Sequence, residues 1–204
     1  MNIRSVTNAE FLRYGIILQY DVRQIITYVK KSITIPGAGS IYVAKLPNLH
    51  DFHIIDTLKK DIYGELPIEA GLCHGHNSTL TGLEYHVGPE VNIAVTDCLL
   101  ALGRKENLDD NTIDGGSLDI FYVPQGTILS LYGGTLHYCP FSAAKDGFST
   151  IVVLLDKTNS TISCKRKDLL TKRNKWFIAH INNTAKINAG SFAGLLGEEL
   201  LINI

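Results

Sequence analysis

A short segment in the middle of the chain combines carboxylate and imidazole side chains at a spacing that suits a metal ion. Glu84, His86 and Glu90 stand in the order E-x-H-x-x-x-E, with Gly88-Pro89 between the last two. If residues 81–87 form a strand, Glu84 and His86 share a face and lie about 7 Å apart along it. A turn at Gly88-Pro89 then brings in Glu90 on the next strand. The pattern predicts three nitrogen and oxygen ligands that face one point.

A fourth candidate ligand, His137, comes later in the chain. It follows the glycine turn Gly133-Gly134 and has apolar neighbours, where an isolated buried histidine would be unusual. We therefore predict that His137 completes a metal site with Glu84, His86 and Glu90. Mixed nitrogen and oxygen ligation suits Mn, Fe, Co, Ni or Zn, and the sequence does not choose among these divalent metals.

A second histidine pair, His74-Gly75-His76, leaves an alternative open. These histidines can supply two metal ligands with Glu84 as the carboxylate, although the glycine between them favours a loop. They are otherwise candidates for the acid–base group that a reaction beside the metal would need. Asn77, the next residue, is a candidate for substrate binding.

Near the C-terminus, a basic run ends in Lys175 and meets an aromatic residue, Trp176. A lysine close to the site can bind an anionic group such as a sulfonate, phosphate or carboxylate, or can transfer a proton. We therefore take Lys175 as a candidate catalytic residue, and Trp176 and Tyr122 as candidate substrate contacts. Strand alternation places Tyr85 on the face opposite Glu84 and His86, which favours a packing role for Tyr85.

The elements that must position these residues change in character along the chain. Helical spacing of apolar residues predicts helices over 9–19, 22–31 and 51–63, with a short strand at 40–44. From residue 68 onward, short runs of Val, Ile, Tyr and Leu alternate with glycine turns, which is typical of strands. The strands are expected at 68–73, 81–87, 91–102, 118–123, 127–131, 135–139 and 149–155. A last helix is predicted over 191–201.

This spacing of strands predicts a sandwich or a small barrel rather than alternating strands and helices. Nothing in the sequence resembles a linker, so we expect one domain over residues 1–204. Within it we expect a mixed helical and strand extension over 1–66, a core barrel over 67–160 and a C-terminal extension over 161–204.

The composition excludes several classes of function. The chain has 204 residues, is 45% hydrophobic and carries a formal net charge of −1, so binding nucleic acid through bulk positive charge is disfavoured. No apolar run is long enough to span a bilayer, and the first ten residues lack the apolar core of a signal peptide. The four cysteines, at 73, 98, 139 and 164, form no C-x-x-C pair. A cytoplasmic protein without membrane or nucleic-acid partners is the expectation.

The candidate ligands resemble the two sequence motifs of the cupins, which are small jelly-roll barrels. Glu84, His86 and Glu90 resemble the first motif, H-x-H-x3-E, with glutamate in place of the first histidine. Pro124-x-Gly126 and His137 resemble the second motif, at a longer interval than its usual pattern. The turn that leads into His137 is also similar to the G-x-W-H of ureidoglycolate lyase-type cupins.

Longer stretches resemble a small bacterial cupin family of formerly unknown function. The similar stretches are 75–77, 83–86, 90–97, 135–140 and 174–176. Some members are linked to sugar-degradation operons and to sulfoquinovose isomerisation. The resemblance implies a mainly β cupin-type jelly-roll barrel with an N-terminal α/β extension and a short C-terminal helical segment.

The same resemblance implies a metal-dependent isomerase that interconverts aldoses and ketoses through an enediol. The implied substrate is a small sugar, including acidic or sulfonated sugars. Two alternatives stay open at this point: a ureidoglycolate-type cupin lyase and a non-catalytic cupin that binds a ligand. The oligomeric state is also open, with a homodimer through edge strands as one outcome.

Overall fold

The computed structural model describes residues 2–163 and 168–202. Cys164 and the first residues of the basic C-terminal stretch therefore lie outside the described residues. The strands are β1 (Ile3–Ser5), β2 (Gly15–Leu18), β3 (Ser40–Val43), β4 (Ile68–Gly75), β5 (Gly82–Tyr85), β6 (Glu90–Ala94), β7 (Cys98–Arg104), β8 (Ile113–Asp114), β9 (Asp119–Val123), β10 (Ile128–Leu131), β11 (Thr135–Leu136), β12 (Phe141–Ser142), β13 (Phe148–Leu155), β14 (Leu170–Lys172), β15 (Lys175–His180) and β16 (Phe192–Leu196). The helices are α1 (Arg23–Ser32), α2 (His53–Asp61) and α3 (Thr184–Asn188).

Eight of these strands form two facing sheets in the order of a jelly roll. The first sheet contains β10-β6-β13-β4, with β2 and β3 added at its two edges. In the second sheet β11 pairs with β7, and β7 pairs with β9. One backbone bridge, between Glu84 and His137, adds β5 beside β11. Apart from β7 and β9, which pair with each other, consecutive strands of these eight alternate between the sheets, which is the double-sheet architecture that cupins share. The predicted mainly β, cupin-type jelly roll is confirmed.

Apolar residues fill the space between the two sheets and cover the outer face of each sheet. The interior between the sheets contains residues such as Phe121, Leu129 and Phe148, all buried. On its outer face the first sheet packs against α1 and α2 through residues such as Leu72 and Ile151. Both faces of β4 and β13 are therefore covered, which explains why nearly all residues of these strands are buried rather than every second one.

The C-terminal residues pair with β5 and thereby lie beside the second sheet. Strand β15 pairs antiparallel with β5, so that Phe177 lies opposite Glu84 and Trp176 lies opposite Tyr85. Strands β14 and β16 flank β15 on its other side. This pairing brings the residues that follow position 173 to the same strand that carries the first candidate metal ligand. Of the helices within the described ranges, none has the length and hydrophobicity to cross a bilayer.

Three of the predicted elements are wrong. The helix expected over 9–19 is a short 3-10 turn (Ala9–Arg13) followed by β2, because this segment pairs with β10 as an edge strand. The strand expected over 91–102 is divided into β6 and β7, since the chain crosses between sheets at 95–97. The helix expected over 191–201 contains β16. The short C-terminal helix is instead α3, and the helices over 22–31 and 51–63 are confirmed with shorter bounds.

A partly buried polar contact fixes the N-terminal strand to the second sheet. Strand β1 pairs parallel with β9, and Arg4 donates a hydrogen bond of 2.5 Å to Oδ1 of Asp119. The hydroxyl of the buried Tyr14 donates to Oδ2 of the same carboxylate at 2.7 Å. Burial opposes the charge of Asp119, but these two donors outweigh burial and hold its pKa below the ordinary value.

We predict that Asp119→Ala lowers the free energy of unfolding by about 1 to 2 kcal/mol at neutral pH, because Tyr14 and Arg4 lose their acceptor. A group with a lowered folded pKa stabilises the protein above its unfolded pKa and loses this effect as pH falls. The difference between wild type and variant should therefore narrow below about pH 4. Denaturant titrations at several pH values measure it.

The matched control is Asp21→Asn, which alters an exposed pair with Arg23. Solvent screens that pair, so the variant should unfold like the wild type at neutral pH. An Asp119→Ala variant that also unfolds like the wild type would contradict the structural role of this carboxylate.

Candidate metal centre

A cavity of about 360 Å³ lies between the two sheets, inside the barrel. Its apolar wall includes Leu100, Leu131 and Val152, which belong to the interior layer. Its polar wall contains the candidate ligands Glu84, Glu90 and His137 together with further polar side chains. Those further polar residues include Ser40, Tyr42, His76, Asn77, Asn92, Tyr138, Asn159 and Lys175.

The backbone bridge beside β5 and β11 places the candidate ligands Glu84 and His137 side by side. The amide of Glu84 donates to the carbonyl of His137 at 2.7 Å, and the amide of His137 donates back to the carbonyl of Glu84 at 2.9 Å. Residues paired in this way carry their side chains on the same face of a sheet. Gly133 allows the turn before β11 to lie close to Val87, because a Cβ at position 133 would lie 2.1 Å from the carbonyl oxygen of Val87.

Hydrogen bonds to backbone carbonyls fix the orientation of both histidine rings. Nδ1 of His86 lies 2.5 Å from the carbonyl oxygen of Asn174, and Nδ1 of His137 lies 2.8 Å from that of Thr135. A carbonyl only accepts, so each Nδ1 must carry the proton and donate. The remaining nitrogen, Nε2, lies beside Glu90 on both rings and is the one available to a metal, as in histidines that bind metals.

A carboxylate oxygen lies between these two nitrogens. Oε2 of Glu90 is 3.2 Å from Nε2 of His137 and 3.3 Å from Nε2 of His86. Oε1 of Glu90 accepts a hydrogen bond of 2.9 Å from the side-chain amide of Asn92, two residues along β6 and on the same face. Asn92 thus orients the carboxylate so that one oxygen points at both imidazoles.

These side chains fit a divalent cation. Ligand atoms of Glu84, His86 and His137 all lie within 4.8 Å of one another, and Glu90 contacts both imidazoles. Nε2 of His86 is buried and has no hydrogen-bond partner among the described residues. A buried polar nitrogen without a partner is costly, and a metal bond would satisfy it. Two imidazoles and one or two carboxylates are a common donor set for divalent transition metals.

The charges of the site compensate one another. Burial disfavours the charge of Glu84, but Lys175 and the two histidines outweigh burial and lower the pKa of Glu84. The pKa of Glu90 is likewise held well below its ordinary value, mainly by His137 against the effect of burial. For His137, burial favours the neutral ring, yet Glu90 raises the pKa to about 9. Two buried carboxylates thus face two cationic groups, His137 and Lys175.

Lys175 reaches the site from the C-terminal extension. Its ammonium forms an ion pair with Oε2 of Glu84, and it lies 5.6 Å from the ring centre of Phe177 and 5.9 Å from that of Tyr138. The pairing of β15 with β5 is what brings Lys175 to Glu84. The sequence prediction that Lys175 lies close to the ligands agrees with this placement.

The two histidines of the second pair, His74 and His76, have different surroundings, because β4 ends between them at Gly75, whose φ is 145°. His76 and Asn77 line the cavity and are half-buried. The side chain of Asn77 donates to the carbonyls of Cys139 and Pro140, both at 3.2 Å, so its amide nitrogen is already engaged in joining two segments. His74 has the same parity as Leu72, which packs under the helices, and it does not line the cavity.

Two predicted substrate contacts also lie away from the cavity. The hydroxyl of Tyr122 donates to Asp97 at 2.6 Å, and its ring packs on the outer face of the second sheet. The Trp176 ring stacks on Tyr85, with centres 5.4 Å apart and planes at 11°. Tyr85 therefore packs away from the ligands, as its strand position suggested, and Trp176 packs with it. Neither Tyr122 nor Trp176 lines the cavity.

Sequence reasoning missed two asparagines that position ligands. Asn174 adopts a left-handed backbone conformation, with φ of 53°, that turns its carbonyl toward His86. Its side chain also accepts from the amide of Val87 at 2.9 Å. Asparagine tolerates this conformation better than most residues, which was an available signal. Asn92 was visible as a polar residue two positions after Glu90 in an otherwise apolar strand.

The chain is similar in sequence to a described family and in fold to several solved structures. A family model described as "Domain of unknown function (DUF4867)" matches residues 3–200. No curated protein matches this chain. Among solved structures, Bacillus subtilis oxalate decarboxylase, a protein with Mn(II) centres, is 10% identical, with a TM-score of 0.38 over 64% of this chain and 29% of that one. The 11S globulin from Wrightia tinctoria is 12% identical, with a TM-score of 0.37 over 61% and 27%. The chain thus spans less than a third of either structure.

We predict that the purified protein, reloaded with Mn, Co or Zn, binds roughly one divalent ion per chain with the tetrahedral or octahedral ligation of such sites. The double variant His86→Ala/His137→Ala should lose the ion while it keeps its circular dichroism spectrum. His53→Ala, which removes an exposed histidine of α2, is the matched control and should keep the ion. Elemental analysis of dialysed samples decides. A wild type that holds no metal after reloading would exclude this centre.

Proposed function

We propose that this chain, which belongs to the DUF4867 family, is a metal-dependent aldose–ketose isomerase that acts on a sugar or on an acidic or sulfonated sugar. The observation that carries the proposal is a barrel cavity in which a candidate metal centre and a half-buried lysine meet at one carboxylate, Glu84. Isomerisation of this kind moves one proton between two carbons and needs both an electrophile and a proton carrier.

The chemistry of the reaction assigns a role to each side of the cavity. Glu84, His86, Glu90 and His137 would hold a divalent cation, which would polarise the carbonyl and the neighbouring hydroxyl of an open-chain sugar. The proton on the carbon next to the carbonyl then becomes acidic. A base on the protein removes it to give an enediol and returns it to the other carbon, so that an aldose becomes a ketose with no loss of atoms.

Two candidate proton carriers line this cavity, Lys175 and His76. Lys175 lies closer to the ligands because its ammonium pairs with Glu84. Its positive charge is placed to stabilise the oxyanion of an enediolate and to donate a proton to it. His76 directly follows β4 and lines the cavity as a half-buried imidazole. His74 is omitted because it does not line the cavity.

A second hollow supports the preference for an anionic substrate. It measures about 590 Å³ and shares Tyr138 and Lys175 with the first cavity. Lys172 and Lys186 line it as well, together with Asp168, so its described lining has more positive than negative side chains. A sulfonate or carboxylate on a carbon remote from the carbonyl would find cationic partners on this side of Lys175.

We expect Lys175→Met to lower kcat roughly 10²- to 10⁴-fold, the usual contribution of an acid–base group, with a smaller change in KM. The matched control is Trp176→Phe, one residue along β15, which keeps the stacking on Tyr85 and should keep kcat. Ketose formation is measured by NMR with neutral, acidic and sulfonated aldoses as substrates. Metal content is measured for each variant, since Lys175 also pairs with a ligand.

The outcomes separate the isomerase from its alternatives. Release of a second product without a ketose would indicate a ureidoglycolate-type lyase. Binding of sugars with no turnover by a metal-loaded protein would indicate a ligand-binding cupin. A Lys175→Met variant with full metal content and unchanged kcat would remove Lys175 from the mechanism.

A further inference from the structure

Two cysteine side chains face each other in the wall of the cavity. Sγ of Cys73, on β4, lies 3.9 Å from Sγ of Cys139, and both residues line the cavity. Both thiols are free. Neither residue has a role in the reaction proposed above. Cys98, the other cysteine in the described part of the chain, is buried elsewhere, with its Sγ 3.9 Å from Oγ1 of Thr150.

The backbone around the two cysteines keeps them neighbours. Cys73 lies in the middle of a sheet, paired with Tyr42 on one side and Thr150 on the other. The segment of Cys139 is tied to the end of the same strand by Asn77, which donates to the carbonyl of Cys139 at 3.2 Å. In the other direction, the amide of Ser142 donates to the carbonyl of Asn77 at 2.9 Å.

A small oxidant can reach the pair from the edge of the first sheet. Cavity-lining Ile41 and Tyr42 on edge strand β3 are exposed, with 48% and 39% of their surfaces accessible to solvent. Cys139 is itself half-buried rather than enclosed. The wall that carries both sulfur atoms is therefore close to an opening of the cavity.

We propose that Cys73 and Cys139 are an oxidation site that forms a reversible disulfide on exposure to a peroxide. One thiol attacks the peroxide, becomes a sulfenic acid and releases one water molecule from hydrogen peroxide. The second thiol attacks that sulfur, the S–S bond forms, and a second water molecule leaves. Two thiols lose two electrons and two protons, and hydrogen peroxide becomes two water molecules. A dithiol reverses the reaction by exchange.

Closing the bond requires a movement that would disturb the candidate metal centre. The sulfur atoms must approach from 3.9 Å to about 2.05 Å. Strand β4 is paired on both sides, so the segment of Cys139 is the part that moves. Only Tyr138 separates Cys139 from His137, so the disulfide would displace a metal ligand. This consequence rests on the proposed metal-dependent function, whereas formation of the disulfide does not.

The experiment exposes the zinc-loaded full chain to hydrogen peroxide, because zinc itself takes no part in redox chemistry. Thiols counted after denaturation should fall from the four of the reduced chain to two, since one pair is oxidised. Peptide mapping without reduction should join the peptides of Cys73 and Cys139, and dithiothreitol should restore four thiols. Bound zinc should be held roughly 10- to 100-fold more weakly in the oxidised form, the range for disturbed support of a ligand.

Three variants serve as matched controls. Cys73→Ser and Cys139→Ser should each abolish the linkage, while Cys98→Ser should leave it intact. Cys139→Ala is the second choice if a serine is poorly tolerated, and thermal unfolding verifies folding of each variant. Four thiols after peroxide treatment, or a loss of two thiols that persists in either serine variant, would overturn the proposal. A protein that holds no zinc before oxidation would refute the metal centre but would leave the linkage assay decisive for the disulfide.

Discussion

Two carboxylates buried inside one barrel set the main constraint on this structure. An uncompensated carboxylate in such a place costs several kcal/mol, so each must find a cationic or donating partner. Glu84 finds Lys175 and Glu90 finds the protonated ring of His137, with Asn92 bonded to its second oxygen. The carboxylates and their partners lie on or directly after β5, β6, β11 and β15, so the charge balance of the site requires that both sheets and the C-terminal extension be assembled together.

Hydrogen bonds behind the ligands matter as much as the ligands themselves. His86 and His137 each present Nε2 to Glu90 because a backbone carbonyl accepts from Nδ1. One of these carbonyls belongs to Asn174, in a left-handed turn that the β5–β15 pairing places beside His86. The same few backbone contacts thus fix ring orientation, strand register and the reach of Lys175, which ties the proposed chemistry to the architecture.

The sequence predicted the parts of the fold and site that depend on local pattern. Strand alternation placed Glu84 and His86 on one face and Tyr85 on the other, and glycine turns located most of the strands. Alternation works there because neighbouring side chains of a strand point to opposite faces, so the face of one residue gives the face of the next. It also explains the misplacement of Tyr122, whose neighbours Phe121 and Val123 are the ones that face the interior. Both faces of that strand are apolar, so its pattern did not reveal which side was which.

What the sequence did not predict depends on pairing between distant segments. The residues at 9–19 have helical spacing, but the second half of the segment pairs with β10 at the edge of the first sheet and forms β2. The division of 91–102 into two strands follows from the crossing between sheets, which no local signal marks. Asn174 acts through a backbone carbonyl, and a carbonyl is present in every residue, so residue type alone could not identify it.

The late position of Asn174 and Lys175 has a consequence for how the protein is made. A ribosome releases the chain from the N-terminus, so Glu84, His86, Glu90 and His137 emerge well before the two residues that orient and neutralise them. Until β15 pairs with β5, His86 lacks the carbonyl that fixes its ring and Glu84 lacks its lysine. A barrel interrupted before β15 would contain these two side chains without their partners. Formation of the centre therefore depends on the segment that contains β15. A growing chain cannot assemble this centre before that segment has been synthesised and has paired with β5.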